Sequence, residues 1–288
     1  MSFDPRVTPA RPDLAAADLR GQVEAARFVD GTEFEVFDPV APVRRSPVPD
    51  ALLETEALKG ERVTIYDQDD EGWGWGQLHS DRYVGWLPMN ALRAPGPEPT
   101  HKVIAIRTIL FPGRSIKAQP VEGLPLGCRL AITGGDGELA RLASGGFVPG
   151  RHLAPLDDAA PDFVAVAERF IGVPYLWGGK TSLGIDCSGL VQVALIAWGI
   201  ACPRDSDMQR AIGTEVAMGD LTGLRRGDLV FWKGHVAVLR DAATLLHANA
   251  FHMAVAAEPL RGAVERISAA GSEVIAIRRL QALNTRRY

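Results

Sequence analysis

Nowhere in this sequence do apolar residues run on for the roughly 20 positions that a bilayer-spanning helix needs. The opening Met1-Ser2-Phe3-Asp4-Pro5-Arg6-Val7 lacks the basic start and apolar stretch of an export signal. The chain as given therefore reads as cytoplasmic, with an exported form as the alternative. A basic excess is lacking too. The 31 Lys and Arg stand against 35 Asp and Glu, for a formal charge of -4, so neither nucleic acid nor an anionic membrane is an expected partner. Cysteine is scarce: Cys128, Cys187 and Cys202 are odd in number and widely spaced, with no disulfide framework and no CxxC zinc pattern. That scarcity leaves room for a working thiol.

What is present is ordinary globular composition, 47% hydrophobic and 23% charged over 288 residues, enough for two or three domains. The proline-rich Ala94-Pro95-Gly96-Pro97-Glu98-Pro99 marks one boundary, because prolines remove amide donors and favour an extended connector. Leu156-Asp157-Asp158-Ala159-Ala160-Pro161 marks a second. Three segments result: 1–93, a polar lead-in and a small β-barrel; 100–156, a weaker echo of that barrel; and 157–288, helices mixed with strands. In the first, Glu33 to Phe37 and Glu61 to Tyr66 alternate as strands do, and Trp73, Trp75, Tyr83 and Trp86 concentrate aromatic rings where a small barrel has a groove. In the second, Gly127 to Ile132, Glu138 to Leu142 and Gly145 to Val148 repeat the order without the tryptophans.

In the third segment Phe163, Val164, Ala167, Phe170 and Ile171 have helical spacing. So do Leu190, Val191, Ala194, Leu195 and Trp198, which end at Gly199. Cys187 therefore opens a helix. A helix N-terminus lowers a thiol pKa through its dipole and free amides, and the same amides can stabilise an oxyanion. His235 begins a short strand after the turn Lys233-Gly234, and His247 lies on the next strand. If those strands pair as a hairpin, the imidazoles lie side by side, with His235 facing the thiol and His247 holding its ring. Cys128 and Cys202 lack such surroundings and read as packing residues. A zinc site from Cys187, His235 and His247 is conceivable but lacks a fourth ligand.

Five blocks in order, Pro174-Tyr175-Leu176-Trp177-Gly178-Gly179, Asp186-Cys187-Ser188-Gly189-Leu190-Val191, Pro203 to Gln209, Arg226 to Phe231 and Gly234 to Val238, resemble the NlpC family of bacterial cell-wall cysteine peptidases. Leu58-Lys59-Gly60-Glu61 and Asp81 to Trp86 resemble bacterial SH3-like domains. The resemblance implies an α+β chain, with a papain-like NlpC domain preceded by two small SH3-like barrels. It implies Cys187 as nucleophile, His235 as base, His247 as orienting residue and Tyr175 near the oxyanion site. No cofactor is implied.

The two-barrel arrangement looks like the subgroup that cleaves γ-D-glutamyl-diamino acid bonds in murein peptides during recycling. In that subgroup Asp186 would bind the free amine of a terminal L-Ala, Ser188 and Ser206 would line the same pocket, and Tyr83 and Glu61 would close it. A substrate ammonium would also offset the repulsion between the Asp186 carboxylate and a Cys187 thiolate. An exported hydrolase of intact wall, a non-catalytic murein-binding protein and a Cys-His acyltransferase remain as rival readings. Oligomeric state is not legible.

Overall fold

A computed structural model describes residues 3–219 and 221–280. The chain divides into two compact units. One runs from the N-terminus to Asp158 and includes Trp177–Ser182; the other comprises Ala159–Leu176 and the chain from Leu183 onward. The linear division expected from the sequence did not foresee that Trp177–Ser182 would belong with the N-terminal unit.

In that unit, β1 (Thr32–Val36), β2 (Val40–Arg44), β3 (Leu53–Leu58), β4 (Arg62–Gln68), β5 (Trp73–Leu78), β6 (Val84–Pro88) and β7 (Leu92–Arg93) form one sheet in the order β3-β2-β6-β5-β4-β1-β7. Alternate residues turn inward, so Val36, Val43, Val63, Ile65, Leu78, Tyr83 and Leu87 share one core. The polar lead-in is part of this fold. Its Leu14 is fully buried against Trp75 and Val84, and the Arg11 guanidinium lies 4.4 Å from the Trp75 ring and 5.2 Å from Trp86. Arg11 also pairs with Asp13 at 2.9 Å and Asp67 at 2.5 Å. The aromatic groove anticipated from the tryptophans is thus filled by the chain's own N-terminal segment.

Residues 100–156 form three small antiparallel sheets around Leu110, Leu124, Cys128, Leu130 and Val148. The weaker echo expected of this segment takes the form of separate small sheets, unlike the single sheet of the first barrel. The pairing register shifts between Ile132 and Gly134, and the segment has none of the tryptophans of the first barrel. Trp177–Ser182 is held by the barrel: Glu56 accepts the Lys180 amide at 2.7 Å, and the Lys180 ammonium lies 3.4 Å from Glu61. Gly178 has φ of 78°, and a Cβ there would come within 2.5 Å of the Leu53 carbonyl oxygen, so only glycine fits.

The second unit is built on β8 (Thr214–Glu215), β9 (Leu229–Trp232), β10 (His235–Asp241), β11 (Thr244–Asn249), β12 (Ala254–Pro259) and β13 (Ala276–Arg279), in the order β8-β13-β9-β10-β11-β12. All pairs whose register is assigned are antiparallel. Helices α1 (Phe163–Glu168), α2 (Cys187–Ala197), α3 (Ser206–Gln209) and α4 (Leu260–Ala269) complete it. Asp162 caps α1 by accepting the Val164 amide at 2.9 Å.

The spacing in α2 predicted one apolar face, but residues 187 to 195 are buried all round, because α1 covers one side and β10 and β11 the other. Gly199, at φ of 87°, ends the helix as the left-handed C-terminal residue. The α+β expectation describes this unit. Over the whole chain strands predominate, since the first 158 residues contain no α-helix among those described.

Candidate active site

The site is assembled where the start of α2 meets the hairpin β10–β11. Asp186 is extended (φ -97°, ψ 179°) and caps α2 by accepting the Gly189 amide at 2.7 Å, which fixes Cys187 as the first helical residue. Cys187 is buried, 7% exposed, and the backbone amides of Val236 and Ser188 act to lower its thiol pKa. Val236 directly follows His235, so that amide belongs to the strand that carries the imidazole.

β10 and β11 pair antiparallel with Val238 opposite Leu246. Carrying that register toward the start of β10 sets His235 two positions from the residue opposite His247, hence on the same face. Their rings meet: His235 Nε2 and His247 Nδ1 are 2.8 Å apart. The hairpin juxtaposition implied by the sequence is present, and it leaves His235 Nδ1 as the nitrogen not engaged by His247. On the next strand His247 lies opposite Ala256, and Glu258, two residues on, reaches back so that its Oε1 is 2.7 Å from His247 Nε2. Arg266 from α4 donates to the same oxygen.

The electrostatics differ from the sequence expectation. The helix N-terminus was expected to lower the Cys187 pKa. Burial, and then the Asp186 charge, instead push the thiol up to about 12, against the Val236 and Ser188 amides and Arg204. Burial, then His247 and Arg266, push His235 down to about 3. Burial also lowers His247, although Glu258 opposes the shift. At neutral pH the resting site is a neutral thiol beside neutral imidazoles. Half-buried Tyr175 is raised by burial and by the nearby Cys187 and Asp186 charges, so it keeps its proton as a donor.

The sequence points to a substrate ammonium as the cation that offsets Asp186, whereas the fold itself supplies one. Arg204, 1% exposed, donates to both carboxylate oxygens, at 3.0 Å and 2.7 Å, and to Ser188 Oγ at 2.8 Å. Gln209 at the end of α3 holds this corner by donating to the Ser188, Pro203 and Arg204 carbonyls. Ser206, half-buried, opens α3.

Sequence reasoning gave no role to Arg204 or Glu258. Arg204 stood inside a recognised block, and a buried carboxylate needs a partner. Glu258 carried only the weak signal of an acidic residue on the sheet face that bears His247. The two candidates in the N-terminal unit have occupations there. Tyr83 packs in the barrel core at 2% exposure. Glu61 accepts the Leu58 amide at 2.7 Å; burial alone would raise its carboxyl, but Lys180, that amide and Arg129 hold it below the usual range. Cys128 is fully buried in an apolar core, and Cys202 is 5% exposed. Among the described residues, no group of three or more His, Cys, Asp or Glu is placed to hold a metal.

Against known proteins, residues 172–267 match the NlpC/P60 family and residues 43–92 match the bacterial dipeptidyl-peptidase SH3 domain. The chain is 30% identical over 240 residues to the γ-D-glutamyl-L-lysine dipeptidyl-peptidase of Bacillus cereus, covering 72% of this chain and 71% of that protein. The chain belongs to the NlpC/P60 family. It is accordingly a cysteine-type peptidase. The γ-D-glutamyl-L-lysine dipeptidyl-peptidase of Bacillus subtilis is 28% identical over 222 residues, 69% of this chain and 73% of that one. A crystal structure of an NlpC/P60 family protein from Bacillus cereus superposes with a TM-score of 0.71 over 86% of this chain and 99% of that one at 24% identity, which shows the shared fold. The NlpC/P60 match encloses Tyr175, Cys187, His235, His247 and Glu258, whereas the SH3 match is confined to the first barrel.

Proposed function

We propose that this protein hydrolyses the γ-D-glutamyl-diamino acid bond of short murein peptides, with Cys187 as nucleophile, His235 as base and His247 as the residue that orients it. The observation that carries the reading is the hydrogen bond between His235 and His247, on a strand whose next amide, that of Val236, acts on the Cys187 thiol. With both partners neutral at rest, the thiol proton passes to His235 as sulfur attacks the γ-D-glutamyl carbonyl carbon. His235 then returns that proton to the departing amine, leaving a thioester. Water, deprotonated by His235, adds to the thioester carbonyl; the C–S bond then breaks to release the γ-D-glutamyl product as its carboxylic acid, and His235 returns the proton to the Cys187 sulfur. The Tyr175 hydroxyl and the amides at the start of α2 are the donors for the tetrahedral oxyanion. No step calls for a cofactor.

The names of the two Bacillus relatives favour a dipeptidyl-peptidase specificity. In the finer form of the proposal, Asp186 receives the ammonium of a terminal L-Ala, and Ser188, Ser206, Tyr83 and Glu61 contribute to that pocket. Because Arg204 already pairs with Asp186, the substrate ammonium would be a second cation on this carboxylate. Residues 100–156 would be a divergent copy of the barrel, and the enzyme a cytoplasmic trimmer of recycled peptides. Arg11 lying over Trp75 and Trp86 supports this over wall anchoring, since the aromatic groove is occupied from within.

The test is mass-spectrometric product analysis with L-Ala-γ-D-Glu-diaminopimelate, its Lys counterpart and their N-acetylated forms, beside a Cys187→Ala control. Release of L-Ala-γ-D-Glu from the free-amine peptides alone, lost in the control, is the expected result. Cleavage of acetylated peptides removes the amine-gated pocket, and cleavage of none removes the proposal.

A further inference from the structure

The contact between Glu258 and His247 has a logic that extends to the reacting sulfur. His247 has no side-chain exposure and Glu258 only 13%. Arg266 donates to Glu258 Oε1, and its guanidinium lies 4.1 Å from the Phe251 ring, so a cation is fixed beside the carboxylate. An ionised carboxylate only accepts hydrogen bonds. His247 must therefore carry its proton on Nε2, 2.7 Å from that oxygen, and a neutral imidazole protonated there has a bare Nδ1. That bare Nδ1 can only accept across the 2.8 Å to His235, so His235 carries its proton on Nε2 and has a bare Nδ1. One acceptor-only group at the far end of the chain thus determines where the lone pair of the base lies.

We propose that Glu258 is a positioning residue that fixes the proton arrangement of His247 and His235, so that His235 keeps its Nδ1 lone pair for the Cys187 thiol. The inference rests on the reading of Cys187 and His235 as nucleophile and base. Without the Glu258 carboxylate, His247 can hold its proton on Nδ1 instead. Donation from there to His235 Nε2 drives the proton of His235 to Nδ1 and removes the base. The carboxylate also favours the imidazolium that forms on His235 as the thiol gives up its proton, acting through polarisation of His247. The other charged or titratable groups acting on this pair are Arg266 and His252 toward His247, and Arg266 and Asp186 toward His235.

The experiment uses the full chain labelled with 15N-histidine. Long-range 1H–15N correlation at neutral pH is expected to report Nε2-protonated tautomers for both His247 and His235. A proton on Nδ1 of His247 in the wild-type protein overturns the proposal, with no variant needed and whatever the peptide substrate proves to be. Kinetics supply the second readout. Glu258→Leu is expected to lower kcat about 10- to 100-fold with KM within about twofold, the pattern of lost support for a group acting in the transition state. Its histidine spectrum should no longer report a single tautomer. Glu258→Gln keeps an acceptor oxygen and should recover part of the loss. A Glu258→Leu protein with wild-type kcat and unchanged tautomers overturns the role of Glu258 while Cys187-dependent cleavage persists. Cleavage that survives Cys187→Ala overturns the underlying assignment of the nucleophile instead.

Discussion

Replacing Arg204 with methionine is the sharpest test of how the charges around Cys187 are balanced. Arg204 is 1% exposed and donates to both oxygens of Asp186, whose side chain is 10% exposed, so the pair is removed from water. Arg204→Met keeps most of the volume and leaves a buried carboxylate without its bidentate partner. Breaking a buried pair from one side typically costs about 3–5 kcal/mol, because the remaining charge is uncompensated. For a unit of this size that corresponds to a fall in Tm of roughly 6–20 °C.

The Asp186→Asn/Arg204→Met double variant should recover much of this, since asparagine still caps α2 and no buried charge remains. The thiol supplies a second measure. Arg204 holds the Cys187 pKa down against burial and Asp186, so its loss raises the pKa further. Iodoacetamide alkylation at pH 8 should slow by about tenfold for each unit of that rise. Urea titration of the three proteins gives the energies, and alkylation followed by mass spectrometry gives the rates. An Arg204→Met protein within about 0.5 kcal/mol of wild type, with unchanged alkylation, would refute the argument that Arg204 is the counter-charge of this site.

Three further predictions concern pH and the N-terminal segment. The folded pKa of His235, near 3, lies below the ordinary 6.5, so its stabilising contribution is fully present above pH 6.5 and is lost as pH falls toward 3. The expected loss is about 1.4 kcal/mol per pH unit from one proton, read as a urea-midpoint slope that His235→Gln should flatten; an equal slope in that variant would exclude His235 as the cause. At the other end Cys187, raised to about 12 from 9.0, contributes stability below pH 9 that is lost as pH climbs toward 12. Arg11→Ala should cost the barrel about 1–2 kcal/mol by removing the guanidinium from the Trp75 face and from Asp67. Tryptophan emission should shift to the red as the rings meet water. An unshifted spectrum with an unchanged midpoint would mean that the lead-in does not cover the groove.

The neutral resting pair follows from where the fold places Cys187. Helix-terminal amides act on its thiol, but a residue buried this deeply beside a carboxylate is dominated by desolvation. Position at a helix start indicates that a thiol can be aimed and supplied with donors. Whether it is ionised at rest depends on burial and on the neighbouring charges.

The sequence by itself determined the elements and their contents. Helical spacing and Gly199 delimit α2, alternation and the Lys233-Gly234 turn delimit β9 and β10, and together they put a cysteine at a helix start and two histidines on adjoining strands. These are local properties, fixed by backbone periodicity and turn chemistry within a few residues. Tertiary structure alone decided the partners. Arg204 reaches Asp186 from 18 positions away, Glu258 reaches His247 only through the β11–β12 register, Arg11 reaches Trp75 across 64 positions, and Glu56 holds Lys180 across 124. Long charged side chains have many possible neighbours in an unfolded chain. Which carboxylate each one meets, and so which proton sits on which nitrogen, is set by packing and strand register, which local sequence does not encode.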